Sequence, residues 1–505
     1  SIVHRGMDNN TIFSFDNRMY LSHNRLSIQD LHEVANQPMV SDDSRYYLVF
    51  NGELWKSSFD KFDKKLRKLY NFKTEKSDTE LLLYYLIHNI ENIGRSLREL
   101  DGMFAFSLYD KQTDTTYLGR DFIGRMPLYY HYDGERFGFS SEAKGLLIGC
   151  DTPYYKIDVK SKYHKMADVK DKETIYPVLP GHMITFKPHP FIHNSYDMEE
   201  EVWYTFKDNY DKDNQSYYTR DEEQFKHFES EDKGLDYYVN GFRNVLEEAV
   251  DNETISDVPI CTILSGGIDS TIITWLLSKK LPNIEAFVVN VNPIRKSKYK
   301  DDLYYARMAA KEFKWTQVSP AVAQLFLAEE IERRGFKVVF GGEGADEIFA
   351  SYGDVKRFCW NEPLHWHQKR VNLLNGLHKS NLVRTNKSMM YGGTVELRTP
   401  FLNKEVIDFG LRIPTKYRDE NFKERKNFEY KTSEYSDGNV MKFILRKAFE
   451  KNISEELLWR PKKTFQVGCH TDYLKNEEPD MYKIFGELFK DGKGYEKFFK
   501  KRLDI

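Results

Sequence analysis

The segment Ser265-Gly266-Gly267-Ile268-Asp269-Ser270-Thr271 constrains this chain more than any other stretch. An apolar run from Val258 to Leu264 enters it, and an apolar-periodic stretch from Ile268 to Leu277 leaves it. That pattern predicts strand, tight Gly-Gly turn, helix. Such a turn points several backbone N–H groups at one place, at the positive end of the following helix. Glycine lets an anion come close to the backbone. Asp269 is a poor partner for an anion by itself, so the segment predicts a divalent cation between its carboxylate and a nucleotide's phosphates. The leaving group would be pyrophosphate. No Gly-Lys-Ser/Thr follows the glycines, which separates this loop from the Walker A type. Taken alone, the same residues would also suit an ordinary glycine turn at a helix start.

A chain of 505 residues has room for two or more domains. With 75 basic and 78 acidic residues the net charge is -3, so neither nucleic acid nor a membrane surface is a favoured partner. No apolar run reaches bilayer length, and no membrane span is expected. Cys150, Cys261, Cys359 and Cys469 are scattered without a C-x-x-C pair. That argues against a disulfide framework or a zinc site, and for a reducing, cytoplasmic setting.

Residues 1–205 read as an α+β layered domain. Strands are predicted at Tyr46–Phe50, Met103–Tyr109, Thr116–Gly119, Pro127–Tyr130, Phe137–Ser140 and Met183–Phe186, with helices at Phe59–Tyr70 and Asp78–His88. Asn51-Gly52, directly after a strand, offers a side-chain amide beside a backbone N–H, as an oxyanion hole requires. Arg25 could fork onto a carboxylate, and Asp78 could receive an ammonium. Each also has a plain structural reading: a turn, a solvated arginine, a helix N-cap.

The stretch 206–234 is dense in mixed charge and reads as a linker. Residues 235–505 read as an α/β domain. Leu235 to Val250 has helical spacing. Strands at Ala286–Val291 and Lys337–Phe340 alternate with helices at Leu303–Phe313 and Pro320–Arg333, which predicts a parallel sheet with its ligand at the carboxyl strand ends. A second glycine loop, Gly341-Gly342-Glu343-Gly344-Ala345-Asp346-Glu347, follows a strand with three carboxylates. Late in the chain, Trp459-Arg460-Pro461-Lys462-Lys463 could neutralise charge on a phosphate, or be a surface basic patch.

In order, His4-Arg5-Gly6, Arg25-Leu26-Ser27-Ile28, Asn51-Gly52-Glu53, Ser77-Asp78-Thr79-Glu80, Asp101-Gly102-Met103-Phe104-Ala105-Phe106, Arg120-Asp121 and Ser140-Ser141-Glu142-Ala143-Lys144 resemble the class II (N-terminal nucleophile) glutamine amidotransferase domain of asparagine synthetases. The second half resembles their ATP-pyrophosphatase synthetase domain. The resemblance implies that Arg25 holds the glutamine α-carboxylate and Asp78 its α-amino group, with Glu53 beside it. Asn51 and Gly52 would form the oxyanion hole. It implies that Ser265, Gly266, Gly267, Ser270 and Thr271 cradle pyrophosphate, and that Ile263, Val289, Gly341 and Gly342 line the adenosine site. Asp269 and Asp346 would hold Mg²⁺. Glu343 would position or deprotonate ammonia, and Lys462 would stabilise the phosphorus centre and the acyl-adenylate.

The implied activity is ATP-dependent amidation of aspartate through β-aspartyl-AMP, with ammonia supplied by glutamine. The alternative is a β-lactam synthetase-like or other adenylating amide ligase with an inactive amidotransferase half. The expected partners are aspartate, glutamine or ammonia, and ATP; a homodimer is allowed but not specified. Some positions depart from the family pattern. Gly341 replaces a serine, Ala350-Ser351 a Gly-Gly, and Asn403 an aspartate, and the stretch from Phe313 to Pro320 is short. The family's N-terminal cysteine nucleophile would precede His4, and Cys150 lies too late to replace it. The expectation is an N-terminally truncated chain that makes asparagine from ammonia but not from glutamine.

Overall fold

A computed structural model describes residues 2–15, 19–133, 136–147, 156–157, 174–192, 196–205, 229–289, 302–313, 318–321, 324–352, 363–417, 419–421 and 439–460. The chain opens with a hairpin of β1 (Asn9–Phe15) and β2 (Met19–Arg25), which the apolar pattern did not predict. An antiparallel sheet then gathers β3 (Met39–Val40), β4 (Tyr46–Leu54), β5 (Gly102–Asp110) and β6 (Thr115–Arg120). A smaller sheet holds β7 (Tyr129–Tyr132), β8 (Phe137–Ser140), β9 (Lys156–Ile157) and β10 (Thr174–Pro177). Strands β11 (His182–Pro188) and β12 (Tyr196–Val202) complete the first sheet, in the order β12-β11-β6-β5-β4-β3.

Strand β5 is buried along its whole length because both of its faces are covered. Phe104, Phe106 and Leu108 pack with Phe62, Leu66, Leu82 and Leu83 from the helices Lys56–Leu66 and Asp78–His88. Met103 and Ala105 share the other cluster with Leu128, Tyr130 and Tyr176 from the smaller sheet's side. Alternation along one strand therefore divides the core in two. The predicted helix at Phe59–Tyr70 starts a turn earlier, at Lys56, and ends at Leu66.

In the second half, β13 (Ile260–Ile263), β14 (Glu285–Val289), β15 (Val318–Ala321), β16 (Val338–Phe340) and β17 (Glu396–Arg398) form a five-stranded sheet. Its order is β15-β14-β13-β16-β17, and every neighbouring pair is parallel. The chain moves outward from β13 to β15, then crosses back to β16 on the other side of β13. The crevice between β13 and β16 is thus the point where strand order reverses, the place where open α/β sheets bind ligands. The predicted helix at Pro320–Arg333 is corrected: Val318–Ala321 is strand and the helix is Gln324–Arg333. The helix Leu235–Glu253 buries Tyr238, Phe242, Leu246, Ala249 and Val250, as its spacing predicts.

Most of the expected linker lies outside the described residues. Its last part is docked rather than solvated: Glu229 Oε1 accepts from the Thr415 amide at 2.7 Å and lies 2.7 Å from His367 Nε2. Among the described residues no helix is long and apolar enough to cross a membrane.

Candidate active site

The two glycine loops leave adjacent strands at the predicted edge. After β13 the chain turns at Gly266, whose φ of +67° suits glycine. A Cβ there would sit 2.8 Å from that of Tyr305. Ser265 and Ser270 fasten the turn: the Ser265 amide donates to Ser270 Oγ at 3.1 Å, and the two hydroxyls lie 2.9 Å apart. The helix Ile268–Lys280 begins immediately, with Gly267, which has no side chain to cap it, at its N-cap. A glycine cap leaves the helix start without a competing side chain, as a phosphate site requires. The buried Thr271 hydroxyl has no hydrogen-bond partner among the described residues. Ile263 stands half-buried on β13 and Val289 ends β14.

The second loop packs directly on the first. A Cβ on Gly342 would lie 2.9 Å from Asp269 Cβ and from the Ser270 amide nitrogen, so only glycine permits this approach. Gly344 adopts φ +100° and caps the short helix Ala345–Ile348. Glu343 curls back beneath Gly341, where a Cβ would fall 2.1 Å from Glu343 Oε2. That oxygen is buried without a hydrogen-bond partner among the described residues. Burial, reinforced by Glu347 and Asp269, raises the Glu343 carboxyl to about 7. A side chain at 341 would require the Glu343 carboxylate to move aside.

Asp269 and Asp346 converge, as predicted, but on a residue the sequence reading missed. Lys442 Nζ lies 2.7 and 2.6 Å from the two Asp269 oxygens and 2.6 Å from Asp346 Oδ1. Burial opposes its charge, yet the two carboxylates outweigh burial and the ammonium's pKa is raised. Lys442 sits at φ +61°, a left-handed conformation uncommon outside glycine and often found at functional sites. No glycine or motif flags it; its only signal is a lysine just ahead of the helix Phe443–Ala448. Arg460 was also underread as part of a basic patch. Its guanidinium donates to the Gly266 carbonyl and lies 4.2 Å over the Tyr305 ring, so it clamps the phosphate turn. Lys462 lies outside the described residues.

Two carboxylates meeting at a phosphate turn suit Mg²⁺, which binds through one or two acids plus substrate phosphates. Among the described residues no group of three or more His, Cys, Asp or Glu could hold a metal. With Lys442 bridging both acids, the pair suits a cation that arrives together with a nucleotide's phosphates.

The other predicted group surrounds the start of the helix Asp78–His88. Ser77 caps that helix by accepting from the Glu80 amide at 3.4 Å, so the plain N-cap reading of Ser77-Asp78-Thr79-Glu80 is correct. Asp78 is buried and accepts from the Leu54 amide at 3.2 Å, next to Glu53. Burial raises Asp78 to about 7, although the Leu54 and Thr79 amides pull the other way. Glu53 is likewise raised well above the ordinary carboxyl range, by burial, then by Glu396 and Asp78, with Arg398 opposing.

Two expectations change here. Asn51-Gly52 lies inside β4, which continues to Leu54; Gly52 takes φ +136° because Phe104 and Met103 of β5 press against it. Asn51 Nδ2 donates to Ser141 Oγ at 3.5 Å. Arg25 does not present a free fork. Its guanidinium donates to the carbonyls of Gln29, Asp30 and His32 and to Asn36 Oδ1, the last two at 3.0 and 2.9 Å. A buried guanidinium must satisfy its donors, and the loop supplies the acceptors.

The two groups are joined across the molecule. The β17 residue Arg398 donates to Glu396 at 2.9 Å and places Nη2 3.6 Å from Glu53 Oε2. Arg125, from the first half, pairs with Glu253 of the second at 2.9 Å. Trp55 is fully buried, with Arg398 5.2 Å and Arg125 5.8 Å from its ring centroid.

Comparison with known proteins gives a consistent result. A model of the glutamine amidotransferase domain matches residues 1–197. The asparagine synthase model matches 241–321, 316–375 and 360–495, half of the chain in total. Asparagine synthetase B [glutamine-hydrolyzing] of Escherichia coli (strain K12) is 28% identical over 513 residues, covering 93% of this chain and 78% of that protein. A probable glutamine-hydrolysing asparagine synthetase of Dictyostelium discoideum is 28% identical, covering 93% of this chain and 81% of that one. Its counterpart in Schizosaccharomyces pombe is 29% identical, over 91% and 78%. By the extent of these matches, and with its phosphate turn at the crevice of a parallel sheet, the chain belongs to the asparagine synthase family.

Proposed function

We propose that this chain is an asparagine synthetase, forming asparagine from aspartate, ATP and an ammonia nitrogen. The observation that carries the reading is the convergence of the Ser265–Thr271 turn, Asp269, Asp346 and Lys442 at the strand-order reversal, in a chain of this family. The aspartate β-carboxylate attacks the α-phosphorus of ATP; the bond to the β-phosphate's bridging oxygen breaks and pyrophosphate leaves. Ammonia then attacks the acyl carbon, and AMP departs with the C–O bond. Splitting the step replaces a poor leaving group with a good one.

The Ser265–Thr271 turn holds the departing pyrophosphate at the positive end of the helix Ile268–Lys280. Lys442 fixes Asp269 and Asp346 and offers a positive charge beside the phosphates. Asp269 and Asp346 would hold Mg²⁺, whose chemistry is to screen phosphate charge. Ile263, Val289, Gly341 and Gly342 are assigned to the adenosine side. Glu343, poised near neutrality, is assigned to take a proton from the attacking nitrogen. Lys462 keeps its assigned role at the phosphorus centre.

The first half is read as the N-terminal-nucleophile type of amidotransferase. Asp78 and Glu53 receive the α-ammonium of glutamine, Arg25 its carboxylate after release of a loop carbonyl, and Asn51 and Gly52 the oxyanion. Domain limits of 1–205, 206–234 and 235–505 suit this division. The comparisons give no support to the β-lactam synthetase-like alternative. With ammonium as donor, aspartate-dependent release of pyrophosphate and AMP is expected, and Asp269→Ala should lower it at least about 100-fold. Unchanged release in that variant would remove Asp269 from the site.

A further inference from the structure

We propose that Arg398 is a positioning residue that couples the two sites, its side chain reaching the glutamine pocket while its backbone holds the nucleotide loop. The inference rests on the two-site reading above. Phe340 and Arg398 are register partners in the β16–β17 pair, and the Gly341 amide donates to the Arg398 carbonyl at 2.9 Å. That bond fixes the first residue of the loop that carries Glu343 and Asp346. On the side-chain end, Nε is held by Glu396 at 2.9 Å, and Nη1 donates to the carbonyls of Glu253 and Ile255. Nη2 is different. It is buried, makes no hydrogen bond among the described residues, and lies 3.6 Å from Glu53 Oε2.

That carboxylate oxygen is meanwhile held by Gln29 Nε2. Glu53, near the end of β4, therefore stands between two donors, one on the segment that follows β2 and one on the synthetase sheet. An ammonium arriving beside Glu53 and Asp78 changes the charge that Arg398 faces. A small shift of Glu53 toward Nη2 would complete the missing bond. The strain of that adjustment passes through a rigid, fully buried residue to Gly341. Coupling of this kind needs a contact that differs between bound and free states, and the incomplete Glu53–Arg398 pair is such a contact.

Coupling between sites is reciprocal, so it can be read from binding alone. Glutamine would be titrated calorimetrically into the chain with and without saturating aspartate and α,β-methylene-ATP. The unaltered chain should show a change in glutamine affinity of about fivefold or more between the two conditions. Arg398→Lys keeps the charge but loses the planar fork; glutamine should still bind, with the two affinities equal within error. Glu53→Gln approaches the same contact from the other half. Its own glutamine affinity will differ, but the ratio between the two conditions should again fall to about one, as shared coupling requires. A ratio preserved in both variants, or a ratio of one in the unaltered chain, overturns the proposal. Absence of any glutamine binding in the unaltered chain would instead reject the glutamine-pocket reading itself.

Discussion

Under the proposed reading, Asp78 serves fold and chemistry together. Its carboxyl is raised from 3.8 to about 7 because it is buried among acids. A raised acid holds a proton in the folded state that it releases in the unfolded one. Its contribution to stability is therefore largest at low pH and declines as pH rises from about 4 toward about 7. Ligand binding runs the opposite way, since only the ionised form attracts an ammonium. Glutamine affinity should rise as pH increases through about 7, by up to about tenfold per unit below that value. Calorimetric titration between about pH 5 and about pH 8 would check this slope. Asp78→Asn should weaken binding and flatten the profile; an unchanged profile in that variant would place the titration elsewhere. Lys442 is the contrasting case. It needs no titration, because two carboxylates keep its ammonium charged in a buried position.

At the scale of elements, buried charges hold the loops that bring the two halves together. The turn after β6 is an example. Asp121 accepts from the amides of Phe104, Ile123, Gly124, Arg125 and Met126, and Arg120 donates to the carbonyls of Met126, Val178 and Gly124. Together they shape the segment that delivers Arg125 to Glu253. Asp121→Ala would leave several buried amides unpaired, at a cost of about 3 kcal/mol or more. Chemical denaturation would measure it, and a loss under about 1 kcal/mol would show that water replaces the carboxylate.

The elements visible in the sequence were those with a strong apolar pattern, such as β5, β6 and the helix Leu235–Glu253. Strand β17 escaped because two of its three residues, Glu396 and Arg398, are buried charges. Strand β15 escaped because Pro320 looks like the first residue of a helix. It lies at the sheet edge, where a missing N–H costs little. The β1–β2 hairpin escaped because β1 leaves much of its length exposed. The site follows the same logic. Both glycine loops were legible, since their approach excludes any Cβ. Lys442 was not, because only the assembled fold imposes its backbone and supplies its acids.

Across the whole molecule, the two halves meet through charge as well as apolar packing. Residues of both halves share one core cluster, from Leu48 and Phe104 to Leu246 and Phe340. Within the contact, Arg125 and Glu253 pair almost without solvent. Such pairs add little net stability, but removing one partner strands the other. Arg125→Met should therefore destabilise the protein by about 3 kcal/mol or more, while Arg125→Met combined with Glu253→Leu recovers much of that loss. Thermal or denaturant unfolding of the single and double variants would test it; additive losses would show that the two residues act separately.

A second junction ties the beginning of the chain to the far half. Glu142 gathers His4 at 2.8 Å, Arg5 at 3.2 Å and the Tyr391 hydroxyl at 2.5 Å, while the His4 ring stacks on Tyr391 at 4.1 Å. The Thr394 hydroxyl donates to the His4 carbonyl at 2.9 Å. The charges across the main contact are exchanged in both directions: Arg125 reaches a glutamate of the second half, and Arg398 a glutamate of the first. Such reciprocity has an evolutionary consequence. Neither half can drift at this surface without a matching change in the other, so domain shuffling would have to replace both partners at once. A change on either side therefore strands a buried charge on the other, so the two halves are matched as a pair.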